Sequence, residues 1–176
     1  MSPILVSSMA ATANSPLSES NSPIRPATFA DVPALTRLIN AAFVVEGVAF
    51  DGNRVDEQGV RGYMNSGTFL VLEGVTGLSG CVYVECDRER SYLGLLSVTP
   101  CRQGSGLGRR LVAEAEKFAR ESGCVLMDLR VISPRANQLL PFYLRLGYHE
   151  AGAQPFPQNL STKVPAHYIL MSKRLT

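Results

Sequence analysis

The chain has 176 residues, enough for one domain with a sizeable core, and its 45% hydrophobic and 18% charged residues make it globular rather than disordered. A formal net charge of +2, no basic run longer than two residues and no interleaving of basic and aromatic residues argue against a nucleic-acid platform. No apolar stretch reaches about 18 residues, so no transmembrane helix is predicted.

Residues 1–22 are rich in Ser, Ala, Asn and Pro and carry one charge, Glu19, which predicts a flexible tail ahead of a single domain over 23–176. The patch Ile4 to Val6 is too short for a secretory core, and the segment lacks the arginines of a transit peptide. Asp31 is read as an N-cap with Pro33 in the first turn. Leu35, Leu38, Ile39, Ala42 and Phe43 then recur at helical spacing to about Val45. A loop follows, and Val55 to Met64 reads as a second helix.

Thr68 to Glu73 and Gly80 to Cys86 flank a short turn with Gly74 and Gly77, a hairpin signal, and Ser91 to Val98 is a third strand. A helix over Gly106 to Glu121 has one apolar face of Leu107, Leu111, Val112, Ala115, Phe118 and Ala119. Its wet face offers Arg110–Glu114 and Glu116–Arg120 pairs, and Gly123 ends it. Cys124 to Val131 is the next strand. Ser133 and Pro134 start a helix that contains Pro141, which removes the bond to the carbonyl of Asn137. Gly147 stops that helix. Tyr148 to Ala151 reads as a strand, 152–165 as a Pro-rich loop and His167 to Lys173 as the last strand. Ser91 to Val131 makes one βαβ crossover, which demands a parallel pair, while the earlier strands meander antiparallel.

The cysteines are Cys81, Cys86, Cys101 and Cys124, with no C-x-x-C pair, and the only histidines are His149 and His167. No zinc or other metal site is expected. Cys81, Cys86 and Cys124 lie in strand-like runs and read as buried, reduced thiols of a cytoplasmic protein.

The run from Val98 to Leu111 carries the most chemistry. A strand, a turn containing Gly104, Gly106 and Gly108, and a helix start follow in that order. Such a turn brings unpaired backbone N–H groups and the positive end of the helix dipole close to an anion. The spacing does not match a P-loop, which needs Lys-Ser/Thr after the last glycine, nor the G-x-G-x-x-G of a dinucleotide site. What remains is Gln103-x-x-Gly106-x-Gly108 behind Val98-x-Pro100. This resembles the pyrophosphate loop of the GNAT superfamily of N-acetyltransferases. Arg135 to Tyr148, with Tyr143 ahead of Gly147-Tyr148, is similar to the family's second signature, and Ile24 to Asp31 to its first strand and helix.

The resemblance implies an α+β fold. A mixed central sheet of six to seven strands, mostly antiparallel, would carry one splayed parallel pair at the coenzyme A site and be flanked by four helices. It implies acetyl transfer from acetyl-coenzyme A to an amine, and the family tendency is a homodimer. Three tasks then fall on named residues. The loop Gln103, Gly104, Ser105, Gly106, Leu107 and Gly108 would hold the pyrophosphate, with Arg102 or Arg109 adding charge. Backbone groups of Leu96, Ser97 and Val98 would face the acyl group, and Asn137 resembles the family's coenzyme-binding Asn, one residue closer to Tyr143 than the usual spacing. Tyr143 occupies the position of the general acid that protonates the leaving thiolate. For the base that frees the amine, Glu85, His167 and Glu46 stand as candidates, while Asp128 can pair with Arg130. A small-molecule acceptor is the first reading. A protein or peptide amine, or a non-catalytic acyl-coenzyme A sensing module, are the alternatives.

Overall fold

The structure, a computed structural model, describes residues 22–44, 52–156 and 164–176. The predicted tail, apart from Ser22, and Glu46 lie outside the described residues. Strand β1 is Ile24–Pro26, and helices α1 and α2 are Val32–Phe43 and Glu57–Ser66. A meander of β2 (Thr68–Gly74), β3 (Gly77–Asp87) and β4 (Arg90–Val98) leads into α3 (Leu107–Glu121). Strand β5 (Leu126–Ile132), α4 (Ala136–Arg145), β6 (His149–Pro155) and β7 (His167–Arg174) complete the chain.

Seven strands form one sheet in the order β1-β2-β3-β4-β5-β7-β6. Every neighbouring pair is antiparallel except β4–β5, the two ends of the crossover through α3. The α+β class, the parallel pair and the four helices therefore match the expectation. Two cores lie on opposite faces. Leu107, Leu111, Val112, Ala115 and Ala119 of α3 pack with Leu129 and Tyr143 on one face. Val32, Leu35, Leu38 and Ile39 of α1 pack with Val60, Phe69 and Tyr83 on the other. The beginning of the sheet is thus sandwiched, whereas among the described residues the second core includes none from β5 or β7.

Several local expectations are corrected. Asp31 stands at the N-cap of α1 with Pro33 in the first turn, as expected, but its carboxylate makes no bond into that helix: it accepts from the Thr28 N–H at 2.8 Å and from the Arg25 guanidinium at 2.9 and 3.0 Å. A single 3₁₀ turn, Phe29–Asp31, precedes α1 and moves the capping box back to Thr28. In α2 the cap is Asp56, whose Oδ1 accepts from the Gly59 N–H at 2.7 Å. Glu116 turns away from Arg120 to pair with Lys173 at 2.8 Å, because that position of α3 faces β7. Cys86 is exposed at the end of β3, whereas Cys81 and Cys124 are buried. Strand β6 runs on to Pro155 through residues expected in a loop. It is an edge strand exposed along its whole length, so no alternation of apolar residues marks it.

Candidate active site

The site begins where β4 and β5 part. Their pairing stops at Leu93↔Leu129, yet β4 continues to Val98 and β5 to Ile132. On its other side β4 carries a bulge: Cys81 faces Ser97 and Tyr83 faces Gly94, which leaves an extra residue between them. Leu95 sits there with φ 48°, a left-handed conformation costly for a branched side chain. The bulge is tied from both strands, since the Leu95 carbonyl accepts from Ser97 Oγ at 3.0 Å and from Cys81 Sγ at 3.8 Å. Burial pushes the Cys81 thiol up to about 12, so at neutral pH it is a protonated packing group, not a nucleophile.

The gap opens into a cleft of about 610 Å³ lined by Leu96, Val98, Gln103, Gly104, Gly108 and Tyr143 among others. Its floor on the α3 side is the glycine loop. Gly104 (φ 77°) and Gly106 (φ 88°) both need the left-handed conformation, and a Cβ built on either would meet nothing within 4 Å. That empty space lies against the first turn of α3, whose leading N–H groups have no acceptor within the helix. A fifteen-residue helix, an open glycine cradle and a strand with one unpaired edge fit a ligand carrying phosphates at one end and an extended amide chain behind them.

The predicted residues of β4, the loop and α4 take different places around the cleft. Leu96, Val98, Gln103, Gly104, Gly108 and Tyr143 line the cleft. The Gln103 amide also donates to the Val98 carbonyl at 3.3 Å and fastens the loop to the strand. Gly106 and Leu107 form the helix start, where the Leu107 side chain is core. Ser97 and Ser105 spend their hydroxyls on backbone carbonyls of Leu95 and Arg102. Arg109 is exposed beside them.

Three predicted residues are not in the lining of the cleft: Asn137, His167 and Glu85, the last of which lines an adjoining pocket with Tyr63, Tyr92 and Arg130. Asn137 is exposed on α4 outside the cleft, and the lining positions of that helix are Gln138, Leu139, Phe142 and Tyr143, preceded by Arg135. These follow the i, i+3, i+4, i+7, i+8 stripe of one helix face, and Asn137 falls off that stripe. Counting forward from Arg135 by that rule gives Gln138, Leu139, Phe142 and Tyr143. His167 is exposed at the start of β7, its N–H on Ser133 Oγ at 3.1 Å, while the next residue, Tyr168, lines the cleft. Successive strand side chains alternate, so His167 belongs to the other face.

Tyr143 is 7% exposed and stacks edge-on against Phe142 and Tyr148, with centroids 5.0 and 5.7 Å away. Gly147 (φ 89°) turns the chain so that the Tyr148 N–H donates to the Tyr143 carbonyl, which fixes the end of α4. Burial, with Glu116 nearby, raises the Tyr148 phenol. Glu85 stands on the α1–α2 face of the sheet and accepts from the Tyr83 hydroxyl at 2.8 Å. Burial, then Glu85, raises the Tyr83 phenol, so it stays protonated and donating.

A strand bulge beside a splayed parallel pair, a glycine loop at a helix start and a buried tyrosine in one cleft define an acyl-coenzyme A transferase fold. A model of the acetyltransferase (GNAT) domain matches residues 39–166, and the chain belongs to the GNAT acetyltransferase family. It is an acetyl-coenzyme A-dependent N-acetyltransferase by that membership. Among solved structures, the ribosomal-protein-S18-alanine N-acetyltransferase of Escherichia coli is similar over 88% of this chain and 94% of its own, with 18% identity and a TM-score of 0.71. The ribosomal-protein-alanine N-acetyltransferase of Brucella melitensis is similar over 87% and 99%, with 24% identity and a TM-score of 0.71. An acetyltransferase of Salmonella typhimurium, solved with its cofactor acetyl-CoA, covers 89% and 95% with 23% identity and a TM-score of 0.70. No curated protein sequence matches significantly. Among the described residues no helix is long and apolar enough to cross a membrane, and no cluster of three potential metal ligands occurs.

Proposed function

We propose that this chain acetylates the primary amine of a small molecule by direct transfer within a ternary complex. The observation that carries the reading is that one cleft joins the glycine loop, the unpaired edge of β4 and Tyr143. The donor supplies an activated acetyl thioester. The chain holds its phosphates with backbone N–H groups from Gly104 to Arg109. It lays unpaired β4 backbone at Leu96 and Val98 along the extended arm. An oxyanion donor of that kind is worth roughly 2.7–4 kcal/mol when aimed at developing charge.

The acceptor enters from the α1–α2 face, where Tyr63, Tyr92 and Tyr168 line the cleft. It must arrive neutral. A lysine-like amine costs about 4–5 kcal/mol to deprotonate at pH 7, an α-amine only about 1 kcal/mol. The guanidinium groups of Arg54 and Arg130 in the same cleft disfavour an ammonium ion, and Glu85, which lines an adjoining pocket with Tyr63, Tyr92 and Arg130, is the group that takes the proton. At the opposite end Tyr143 Oη returns a proton to the departing thiolate.

An amine panel with acetyl-coenzyme A, read by thiol release, tests the proposal. The expected result is turnover of a small amine, with Tyr143→Phe lowering kcat by about 10²-fold or more while the acetyl-coenzyme A Kd is unchanged. Binding of acetyl-coenzyme A with no acceptor in a broad panel would leave a sensing module instead. Undiminished turnover from Tyr143→Phe would remove the general acid.

A further inference from the structure

The described lining of the cleft contains Arg54, Arg130, Arg135 and Arg145 but no Asp or Glu. Two of these arginines accompany the donor. Arg135 and Arg145 flank α4, on the sheet face that carries the glycine loop and α3. Arg54 and Arg130 lie on the other face. Arg130 projects from β5 between two rings, its guanidinium carbon 5.5 Å from the Tyr92 centroid and 5.7 Å from that of Tyr168. Tyr92 packs on the α1–α2 core, which fixes the face. Arg54 stands over Phe43 at 5.5 Å. Its backbone is clamped: the Arg54 and Val55 N–H groups both donate to Asn40 Oδ1, at 2.8 and 3.1 Å, and Asn40 Nδ2 donates to the Val55 carbonyl at 2.9 Å. Arg54, Tyr92 and Arg130 line the same cleft, and although burial raises the Tyr92 phenol, both arginines are near enough to pull it down.

Among the described residues neither guanidinium has a carboxylate partner. Of the carboxylates that share a pocket with Arg130, Asp128 is taken by Arg90 at 2.7 Å and Glu85 accepts from Tyr83. The donor's phosphates do not answer these charges either, because the loop and helix that receive them are on the far side of the sheet. A planar guanidinium held between rings keeps its fork of donors oriented and has given up little freedom still to lose, which is the arrangement that recognises a carboxylate.

We infer that the acceptor is an amino acid-like molecule whose own carboxylate is bound by Arg130, with Arg54 in the same cleft, while its amine points into the gap between β4 and β5. This rests on the acetyltransferase reading above. It excludes an internal lysine or the N-terminus of a long peptide as the preferred acceptor, since neither carries a carboxylate close to its amine.

The test pairs each of a set of α-, β- and γ-amino acids with the amide of the same compound, using acetyl-coenzyme A and thiol release. A free carboxylate is expected to raise kcat/KM by about tenfold or more over the amide. Arg130→Gln and Arg54→Gln are expected to abolish that preference by raising KM for the acids about tenfold more than for the amides, with the Kd of acetyl-coenzyme A unchanged. Should Arg130→Gln fail to fold, Arg54→Gln, in an exposed segment ahead of α2, carries the same comparison. Acids and amides turned over alike, or amides and peptides preferred, overturn the inference and leave the transferase standing. No thiol release from either series, with release from another amine of the broad panel, overturns the inference alone, and acetyl-coenzyme A binding with no release from any amine overturns both.

Discussion

Gly106→Ala separates the role of the loop from its shape. Gly106 has φ 88°, and a Cβ there would meet no atom within 4 Å, so the substitution adds no clash. What it adds is the left-handed strain of an L-residue, about 1–2 kcal/mol. For a chain of this length that lowers Tm by about 2–8 °C. At the other end of the same helix, Gly123 has the same φ of 88° and the same emptiness around its Cβ. Gly123→Ala is therefore a matched control with equal backbone strain and no part in the cleft. Denaturation without ligand should show similar losses for the two variants. Calorimetric titration of acetyl-coenzyme A should not. The methyl at Gly106 occupies the space where an anion meets the first N–H groups of α3, and a lost charge-assisted hydrogen bond is worth about 1.5–3 kcal/mol, or about 10- to 150-fold in Kd. Gly123→Ala should leave Kd at the wild-type value. A wild-type Kd for Gly106→Ala, or equal weakening by both variants, would refute the cradle.

Lys173→Ala should destabilise by about 3 kcal/mol in urea denaturation, because it strands the Glu116 carboxylate, whose side chain is only 10% exposed. The double variant Glu116→Leu/Lys173→Met should recover most of that loss, and a single variant within about 0.5 kcal/mol of wild type would show the pair to be a surface contact. The Arg25 guanidinium, which it meets in two hydrogen bonds, holds the Asp31 carboxyl down at about 2, against an ordinary 3.8. A depressed carboxylate stabilises the fold above its unfolded value and loses that contribution as pH falls from about 4 to about 2. Asp31→Asn should therefore be less stable than wild type at pH 6 and converge with it towards pH 2, and a constant difference across that range would contradict the linkage.

The helices and the parallel pair could be read from the chain because their signals are local. Leu107, Leu111, Val112, Ala115 and Ala119 repeat at helical spacing, and the crossover around them dictates direction. The glycine loop was legible for the same reason. The bulge was not. Leu95 adopts a left-handed conformation without being Gly, Asn or Asp, and it is held there by Cys81 from the neighbouring strand, a partner no spacing rule supplies. The acceptor arginines escaped notice for a different reason. Arg54 stands among Asp51, Asp56 and Glu57 in sequence, and Arg130 two residues from Asp128, so both look already balanced. Only the fold sends Asp56 to cap α2 and Asp128 to Arg90, leaving the two guanidinium groups together. The length of β6 was hidden because a strand bare on both faces has no reason to alternate.

The parting of β4 from β5 after Leu93 and Leu129 has a consequence beyond chemistry. Exposed strand edges invite other chains to pair with them, and proteins usually confine them to the rim of a sheet, where charge or a bulge can guard them. Here such an edge lies in the middle of the sheet, walled by α4 on one side and by the tyrosines on the other. A narrow, extended guest with amide groups can reach it, and a second protein strand with its flanking side chains cannot. The same enclosure that shapes a binding site thus lets the fold keep an open hydrogen-bonding edge without becoming a seed for aggregation.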